Sequence, residues 1–246
     1  MREYSLFQQA NPGAIQGPMD EAPAPQHARR CWHAGGVRRS SSAAVRRAIG
    51  AVALAAGISY LVVEALAASR VAAYSYADDY VSDLGRATSP LAWWMNAGFR
   101  VQGMAFVVTG AMLVATVRPA RGALTFTVFA CLYGAGSVTV GLVPSGGPGH
   151  LLHVGGATAA ILGGNLALIT AGRIGLPDRS RAARALGYGL GLLGLTAAGA
   201  LIGTGLPSGA CERTAIYSII AWQLLAGARL LSTGQAGDRR ADARIP

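Results

Sequence analysis

Four ionisable side chains have types and spacings that can do chemistry: Asp83, His150, His153 and Glu212. His150 and His153 are three residues apart, so on a helix they share one face. Two imidazoles with the Asp83 carboxylate form a ligand set suited to a divalent metal, and Glu212 would act as general base for a metal-bound water. The alternative is a histidine pair that hydrogen-bonds loop backbone. The HxxH spacing is compatible with both, since the sequence has no HExxH motif.

Two further charged residues lie within apolar stretches. Arg100 is well inside the second apolar run, and Glu64 is near the end of the first. A charge within a membrane is costly, so it is expected to face the bundle interior and to have a partner. We predict that Arg100 pairs with Glu64 or, alternatively, with Asp83. Such a pair can be structural, or it can take part in anion binding or coupling.

Common enzyme motifs are absent from the sequence. There is no GxSxG, no Walker A motif and no dinucleotide-binding fingerprint, and the glycine-rich stretch at residues 146–149 lacks the lysine of a phosphate loop. The three cysteines are far apart and form no CxxC pair. We therefore expect no cofactor, and the sequence favours a protein that is not an enzyme.

Composition indicates a membrane protein. Of the 246 residues 52% are hydrophobic and 13% are charged, whereas soluble domains usually have about 25% charged residues. The apolar residues form six runs of about 20 residues, the length that spans ~30 Å of hydrocarbon. We predict an all-α bundle of six transmembrane helices. The runs are Ala48–Ala68, Leu91–Val117, Ala123–Val143, Leu151–Ala171, Ala185–Leu206 and Ala215–Leu231.

The distribution of arginine predicts the orientation of the bundle. If the N-terminus is inside the cell, 17 of the 21 basic residues lie in inside segments and three in outside loops. Positive residues concentrate on the cytoplasmic side, so both termini are predicted to be cytoplasmic. The tryptophan pair at 93 and 94 then lies at the outer interface. This distribution also explains the net charge of +10 without nucleic-acid binding, which we do not expect.

Three segments are predicted along the chain. Residues 1–44 form a basic N-terminal tail without helical or strand periodicity, predicted to be disordered. Residues 45–232 form the transmembrane domain, and residues 233–246 form a disordered C-terminal tail. Ala65-Leu66-Ala67 resembles a signal-peptidase site, but the preceding tail is long and Glu64 interrupts the site region. We therefore expect the first helix to be retained.

Small residues recur at four-residue spacing in the later helices, a pattern of close helix packing. In the fourth run Gly155, Ala159 and Gly163 share a face. In the fifth run the pairs are Gly187 with Gly191 and Gly199 with Gly203.

Three stretches of the chain are similar to one family. They are YVSDLGR followed by SPLAWWMNAGF, then GLVPSGGPGHLLHVGGA, then CERTAIYSIIAWQL. In this order they resemble the bacterial and archaeal six-helix membrane proteins called domain of unknown function 998, over roughly residues 48–231. The resemblance implies a six-helix integral membrane bundle and no particular activity. The polar positions that match are Ser82, Asp83, Asn96, His153, Glu212 and Arg213, whereas His150 and Arg100 have no clear counterpart.

The leading hypothesis is a multi-pass protein of the cytoplasmic membrane that binds or transports a small solute or lipid headgroup in an outward-facing polar pocket. Asp83, His153, Glu212 and Arg213 would line its mouth. Arg100 and Glu64 would form its floor. Membrane lipid is the expected partner, and the sequence does not specify an oligomeric state. The alternatives are a metal-dependent hydrolase at the outer leaflet, with His150, His153 and Asp83 as ligands, and a structural or assembly protein without a ligand.

Overall fold

The computed structural model describes the backbone of residues 26–119, 121–203 and 205–242 and the side chains of 43–119, 121–203 and 205–232. By internal contacts the chain divides into two units, residues 1–38 and 39–246. In the first unit, residues 26–38 are helical. The described part of the second unit is helical without strands, which confirms the predicted fold class.

Six helices are long and apolar enough to cross a membrane, and a short 3-10 helix, Val81–Gly85, lies between the first two. The helices are α1 Gln26–Ala68, α2 Ala92–Val117, α3 Ala123–Leu142, α4 His150–Ile174, α5 Arg181–Gly203 and α6 Ser208–Asp242. The membrane-spanning part of α1 is Ala43–Ala68 and that of α6 is Ser208–Ser232. Which end of the bundle faces the cytoplasm stays a prediction.

Three helix boundaries differ from the sequence prediction. The helix α6 begins at Ser208, directly after Pro207, and not near Ala215. Glu212 and Arg213 are therefore in the second turn of a spanning helix, whereas the predicted apolar run began after them. At the N-terminus, α1 begins at Gln26, inside the stretch predicted as a tail. At the C-terminus, α6 continues to Asp242, inside the stretch predicted as a disordered tail. The predicted disorder of residues 1–25 and 243–246 lies outside the described residues.

The helices pack as sequential neighbours, α2 to α3, α3 to α4, α4 to α5 and α5 to α6, and α6 also packs against α1. Close approach between them depends on glycine, since an added Cβ would lie 2.4–3.0 Å from backbone of the facing helix at four contacts between two glycines. These are Gly50 with Gly227, Gly103 with Gly134, Gly136 with Gly156, and Gly187 with Gly172. The helices are therefore arranged in a ring, in which the first and the last helix are neighbours.

Aromatic side chains pack against one another in the interior, and aliphatic side chains are exposed along the outer surface. Trp222 of α6 is 2% exposed and packs against Phe106 and Phe126, with ring centroids 6.0 and 6.4 Å apart. The outer surface of α1 exposes Val52, Ile58, Val62 and Leu66. A chain that exposes large apolar residues along its long helices is suited to lipid as the surrounding solvent.

Amide side chains connect three helices at mid-depth. Gln102 of α2 donates through Nε2 to Oε1 of Gln223 in α6, at 3.0 Å. Gln223 in turn donates through Nε2 to the backbone carbonyl of Ala53 in α1, also at 3.0 Å. Because an unpaired amide in an apolar interior is costly, these bonds favour one register of α1, α2 and α6.

Candidate functional site

At one end of the bundle, the α1–α2 loop is hydrogen-bonded to the start of α6 and to the α3–α4 loop. The α1–α2 loop accepts bonds from the start of α6, with Ser208 Oγ donating to the Asp78 carbonyl and the Ala210 N–H to the Ala77 carbonyl, both at 2.7 Å. The same loop contacts the α3–α4 loop, where Arg86 Nε donates to Ser145 Oγ at 3.2 Å. The α1–α2 loop is thus fixed over this end, and its acidic residues have defined positions.

A groove of about 620 Å³ opens at this end, and we call it the Asp83 groove. One wall is polar and is formed by the α1–α2 loop, the α3–α4 loop and the start of α4. The other wall is apolar and comes from α4 and α5. The polar wall includes Ser82, Asp83, Arg86, Ser145, His150 and His153. The apolar wall includes Val154, Ile161, Leu162, Leu195, Ala198 and Ile202. Glu212 also lines the groove.

Asp83 forms the charged rim of the groove. Its Oδ1 lies 2.8 Å from Nη2 of Arg86 and 3.2 Å from Oγ of Ser145. The side chain of Asp83 is 22% exposed and that of Arg86 is 48% exposed. The pair is therefore accessible to water, and a ligand can compete for either partner at low cost.

The two histidines have different environments. His153 is buried, and its Nδ1 lies 2.6 Å from the Val143 carbonyl. A carbonyl accepts hydrogen bonds, so Nδ1 carries a proton. Nε2 is then the ring nitrogen that can contact a ligand in the groove. His150 is the first residue of α4 and is exposed. His153 is therefore held in one orientation, whereas His150 lies at the entrance.

Glu212 is buried and connects two cavities. Its Oε2 accepts a hydrogen bond from the Val81 N–H, which fixes the carboxylate against the 3-10 helix. Its Oε1 has no hydrogen-bond partner among the described residues. The side chain is 5% exposed and borders both the Asp83 groove and a smaller interior cavity of about 40 Å³. Glu212 thus offers one carboxylate oxygen at the floor of the groove.

The interior cavity beyond Glu212 is partly polar. Its lining includes Tyr60, Gln102, Tyr133 and Ser137. Among the described side chains, the Tyr60 hydroxyl and Gln102 Oε1 are buried without a hydrogen-bond partner. A volume of about 40 Å³ holds a few waters at roughly 10–15 Å³ each, but no larger solute.

Arg213 and Glu64 lie apart from the groove. Arg213 Nε is 3.0 Å from Glu64 Oε1, and the Tyr217 hydroxyl donates to the same oxygen at 2.8 Å. The other end of the guanidinium reaches the α1–α2 loop, where Nη1 donates to the carbonyls of Tyr76 and Asp79, each at 2.8 Å. We predicted that these two residues line the pocket, but they are not among the residues that line the Asp83 groove. They attach the loop that forms the polar wall.

Tyr74 completes this attachment. Its hydroxyl accepts a hydrogen bond from Arg213 Nη2 and donates to the Tyr80 carbonyl at 3.0 Å. Partial burial raises the pKa of Tyr74 to about 12, against the opposing effect of the nearby Arg213 charge. The hydroxyl therefore stays protonated at neutral pH and remains able to donate.

The predicted pairing of Arg100 is wrong. Glu64 pairs with Arg213, and Asp83 pairs with Arg86. Arg100 instead donates through Nε to the Asn96 carbonyl in its own helix, at 3.1 Å, and its side chain lies over Gly141 of α3. The reason is the order of the helices in the ring. Because α6 packs against α1, Arg213 of α6 lies beside Glu64.

The described residues include no group of three or more His, Cys, Asp or Glu side chains that could hold a metal ion. His150, His153 and Asp83 line the same groove without forming such a group. His153 Nδ1 is bonded to a backbone carbonyl, as the loop-bonded alternative predicts. A histidine that binds a metal through Nε2 commonly makes the same bond, so the bond agrees with both alternatives.

Several residues of the site were not predicted. Ser145 lies in the GLVPSGG stretch and was not singled out in the sequence, although it bonds both Asp83 and Arg86. Tyr217 lies four residues after Arg213, so the helical spacing could have revealed that both face Glu64. The bonds from Arg213 to Tyr76 and Asp79 use backbone carbonyls, which every residue has, so no sequence pattern could have indicated them.

Comparisons with known proteins support the family resemblance. A family model described as "Protein of unknown function (DUF998)" matches residues 53–229, from α1 to α6. Neither curated proteins nor solved structures gave a match. The matched range includes all three motifs and is well over half of the 246 residues. Since the family match and the six apolar helices agree, the chain belongs to the DUF998 family of multi-pass membrane proteins of unknown function.

Proposed function

We propose that the protein binds a membrane amphiphile in the Asp83 groove, with the headgroup against the polar wall and an acyl chain along α4 and α5. The single observation that supports this most is the division of one groove of about 620 Å³ into a polar and an apolar wall. Ligand sites commonly combine apolar lining with a few convergent polar groups. By the arginine distribution, the groove opens on the outer side of the cytoplasmic membrane.

The polar wall favours a headgroup that donates hydrogen bonds. Glu212 has one unbonded carboxylate oxygen, His153 has Nε2, and Asp83 has a partly exposed carboxylate. These are acceptors, and among the described residues of this wall Arg86 is the one arginine, whose charge is balanced by that of Asp83. A primary amine or a sugar hydroxyl fits such a set, because it brings N–H or O–H donors to buried acceptors.

Binding is favoured over transport of this ligand. The interior cavity beyond Glu212 measures about 40 Å³ and is too small for a headgroup. A ligand in the groove therefore ends at Glu212. The alternative of a structural protein without a ligand predicts that the groove is filled by ordinary bulk lipid.

The test compares lipids that differ in headgroup donors. The purified protein in an amine-oxide detergent, whose headgroup has no N–H or O–H, is titrated with phosphatidylethanolamine, a glucosyl diacylglycerol or phosphatidylcholine, and thermal unfolding is followed. We expect the first or the second to raise the unfolding temperature and phosphatidylcholine to leave it unchanged. Equal responses to all three lipids would support the structural alternative.

Paired variants assign the response to the groove. Glu212→Gln and Asp83→Asn each replace one carboxyl oxygen with an NH2 donor and are expected to reduce the lipid response. Asp78→Asn makes the same chemical change in the same loop, outside the groove lining, and is the control. A response that persists in Glu212→Gln and Asp83→Asn would contradict the proposal.

A further inference from the structure

A second large cavity lies at the opposite end of the bundle. Its volume is about 630 Å³, and it lies between the end of α4 and the starts of α3 and α5. Four exposed arginines line it, one before α3, one in the last turn of α4 and two around the start of α5. They are Arg121, Arg173, Arg179 and Arg184. We call this the arginine cavity.

The positive charge of this cavity is not balanced by acidic side chains in the part of the chain whose side chains the structure describes. No acidic residue is among its lining residues. Among the described side chains, none of its four arginines forms an ion pair. The carboxylate of Asp178, in the adjacent α4–α5 loop, is bonded to Arg229 at 2.7 Å and to the Ser180 N–H at 2.8 Å. It is therefore committed to other partners, and the cavity remains strongly basic.

Backbone geometry adds to the basic character. The helix α3 starts after Gly122, which has φ of 82° in the left-handed region, and no side chain caps this end. The first N–H groups of a helix have no intrahelical acceptor and carry a partial positive charge. Gly122 and Thr125, which are part of the cavity lining, place these groups beside the arginines.

The position of the cavity suits a phospholipid. Helix ends of this kind lie at the depth of lipid phosphates. Leu124, Val128 and Leu132 form an exposed ridge along α3 that starts next to Thr125, with exposures of 77%, 54% and 41%. An acyl chain can follow this ridge while its phosphate contacts the arginines.

We propose that the arginine cavity binds an anionic phosphate group, from an anionic phospholipid headgroup or from a free phosphate. Guanidinium groups bind phosphate oxygens through paired N–H donors, and basic pockets between transmembrane helix ends commonly bind anionic headgroups. The site is distinct from the Asp83 groove, which lies at the other end of the helices and offers acceptors instead of donors.

The test separates the two sources of phosphate. Thermal unfolding of the full-length protein in detergent is followed with phosphatidylglycerol, with phosphatidylcholine as the zwitterionic comparison, and with inorganic phosphate. Stabilisation by phosphatidylglycerol alone assigns the site to lipid. Stabilisation by inorganic phosphate as well assigns it to a free anion. No stabilisation by either phosphatidylglycerol or inorganic phosphate overturns the proposal, as does an equal effect of phosphatidylcholine.

Matched variants show where the anion binds. In Arg173→Gln/Arg184→Gln we expect the apparent Kd to rise about 30-fold, since each arginine near an anionic headgroup contributes on the order of a factor of five. The control Arg118→Gln/Arg181→Gln removes the same charge from two exposed arginines at the same end, outside the cavity lining. If the lining variant cannot be purified, each single variant replaces it. Equal losses in the lining and control variants overturn the proposal.

Discussion

The carboxylate of Glu64 in α1 and the guanidinium of Arg213 in α6 lie 3.0 Å apart inside the bundle, with side chains 1% and 6% exposed. The same arginine bonds two carbonyls of the α1–α2 loop. One buried pair therefore joins the first and last helices and also holds the loop that forms the polar wall of the Asp83 groove. A change at the Glu64–Arg213 pair should therefore affect both the stability of the bundle and the geometry of the groove.

The first prediction concerns this pair. Removing one partner of a buried ion pair leaves an uncompensated charge, which costs about 3–5 kcal/mol. We expect Glu64→Gln and Arg213→Gln each to destabilise the protein by this order, measured as a lower thermal unfolding temperature in detergent. The control is Arg229→Gln at the more exposed Asp178–Arg229 pair, where we expect a loss of about 1 kcal/mol or less. Equal effects at the two pairs would show that Glu64–Arg213 is not a buried structural contact.

The sequence predicted that intramembrane charges would be paired, but it assigned the wrong partner to Glu64. Depth along the helices made Arg100 a candidate, whereas the choice between Arg100 and Arg213 depends on which helix packs against α1. That neighbour relation is set by packing across the whole ring, and no local pattern contains it. By contrast, Asp83, His153 and Glu212 were predicted to share a site because alternate loops meet at one end, and they do line one groove.

Glycine spacing gave a similar partial success. Gly163, Gly187 and Gly191 contact the facing helix as expected, whereas Gly155, Gly199 and Gly203 have open space where a Cβ would be. On α4, Gly156 contacts α3 in place of Gly155, one residue away from the predicted face. A four-residue spacing fits several faces of a glycine-rich helix, so the spacing alone could not choose among them.

The second prediction uses two glycines on one helix. At Gly187 an added Cβ would lie 2.8 Å from the Gly172 nitrogen and the Leu168 carbonyl oxygen, whereas at Gly189 nothing lies within 4 Å. We expect Gly187→Ala to separate α4 from α5 and to cost about 1–3 kcal/mol. Gly189→Ala should be neutral or stabilising by about 0.5–1 kcal/mol, through helix propensity. Thermal unfolding distinguishes the two, and a cost at Gly189 equal to that at Gly187 would contradict the helix packing described here.

The third prediction is a pH dependence at Tyr74. Its folded pKa of about 12 is above the ordinary value of 10.0. The neutral hydroxyl is therefore favoured by folding, and its stabilising effect is complete below pH 10 and is lost as the pH rises toward 12. Tyrosinate absorbance during alkaline titration should show one late-titrating group fewer in Tyr74→Phe than in the wild type. If the group missing from Tyr74→Phe is instead one that titrates at the ordinary value, Tyr74 is not held by these contacts.

The fourth prediction is the orientation of the bundle. The arginine distribution places both termini, and with them the arginine cavity, on the cytoplasmic side. We expect a C-terminal tag to be protected from protease added outside intact spheroplasts. A tag inserted after Gly147, in the α3–α4 loop, should be cleaved. The reverse pattern would place the Asp83 groove inside the cell and contradict the proposed access from the outer leaflet.

The most direct test of the account asks whether the Asp83 groove holds a bound lipid. Native mass spectrometry of the gently extracted protein measures the retained lipid in the wild type, in Ala198→Trp and in Leu192→Trp. Ala198 lines the groove, whereas Leu192 is 57% exposed on the same helix and is outside the groove lining. We expect one retained lipid with an amine or hydroxyl headgroup in the wild type and Leu192→Trp, and its loss in Ala198→Trp. Retention of the same lipid by all three proteins would contradict lipid binding in the Asp83 groove.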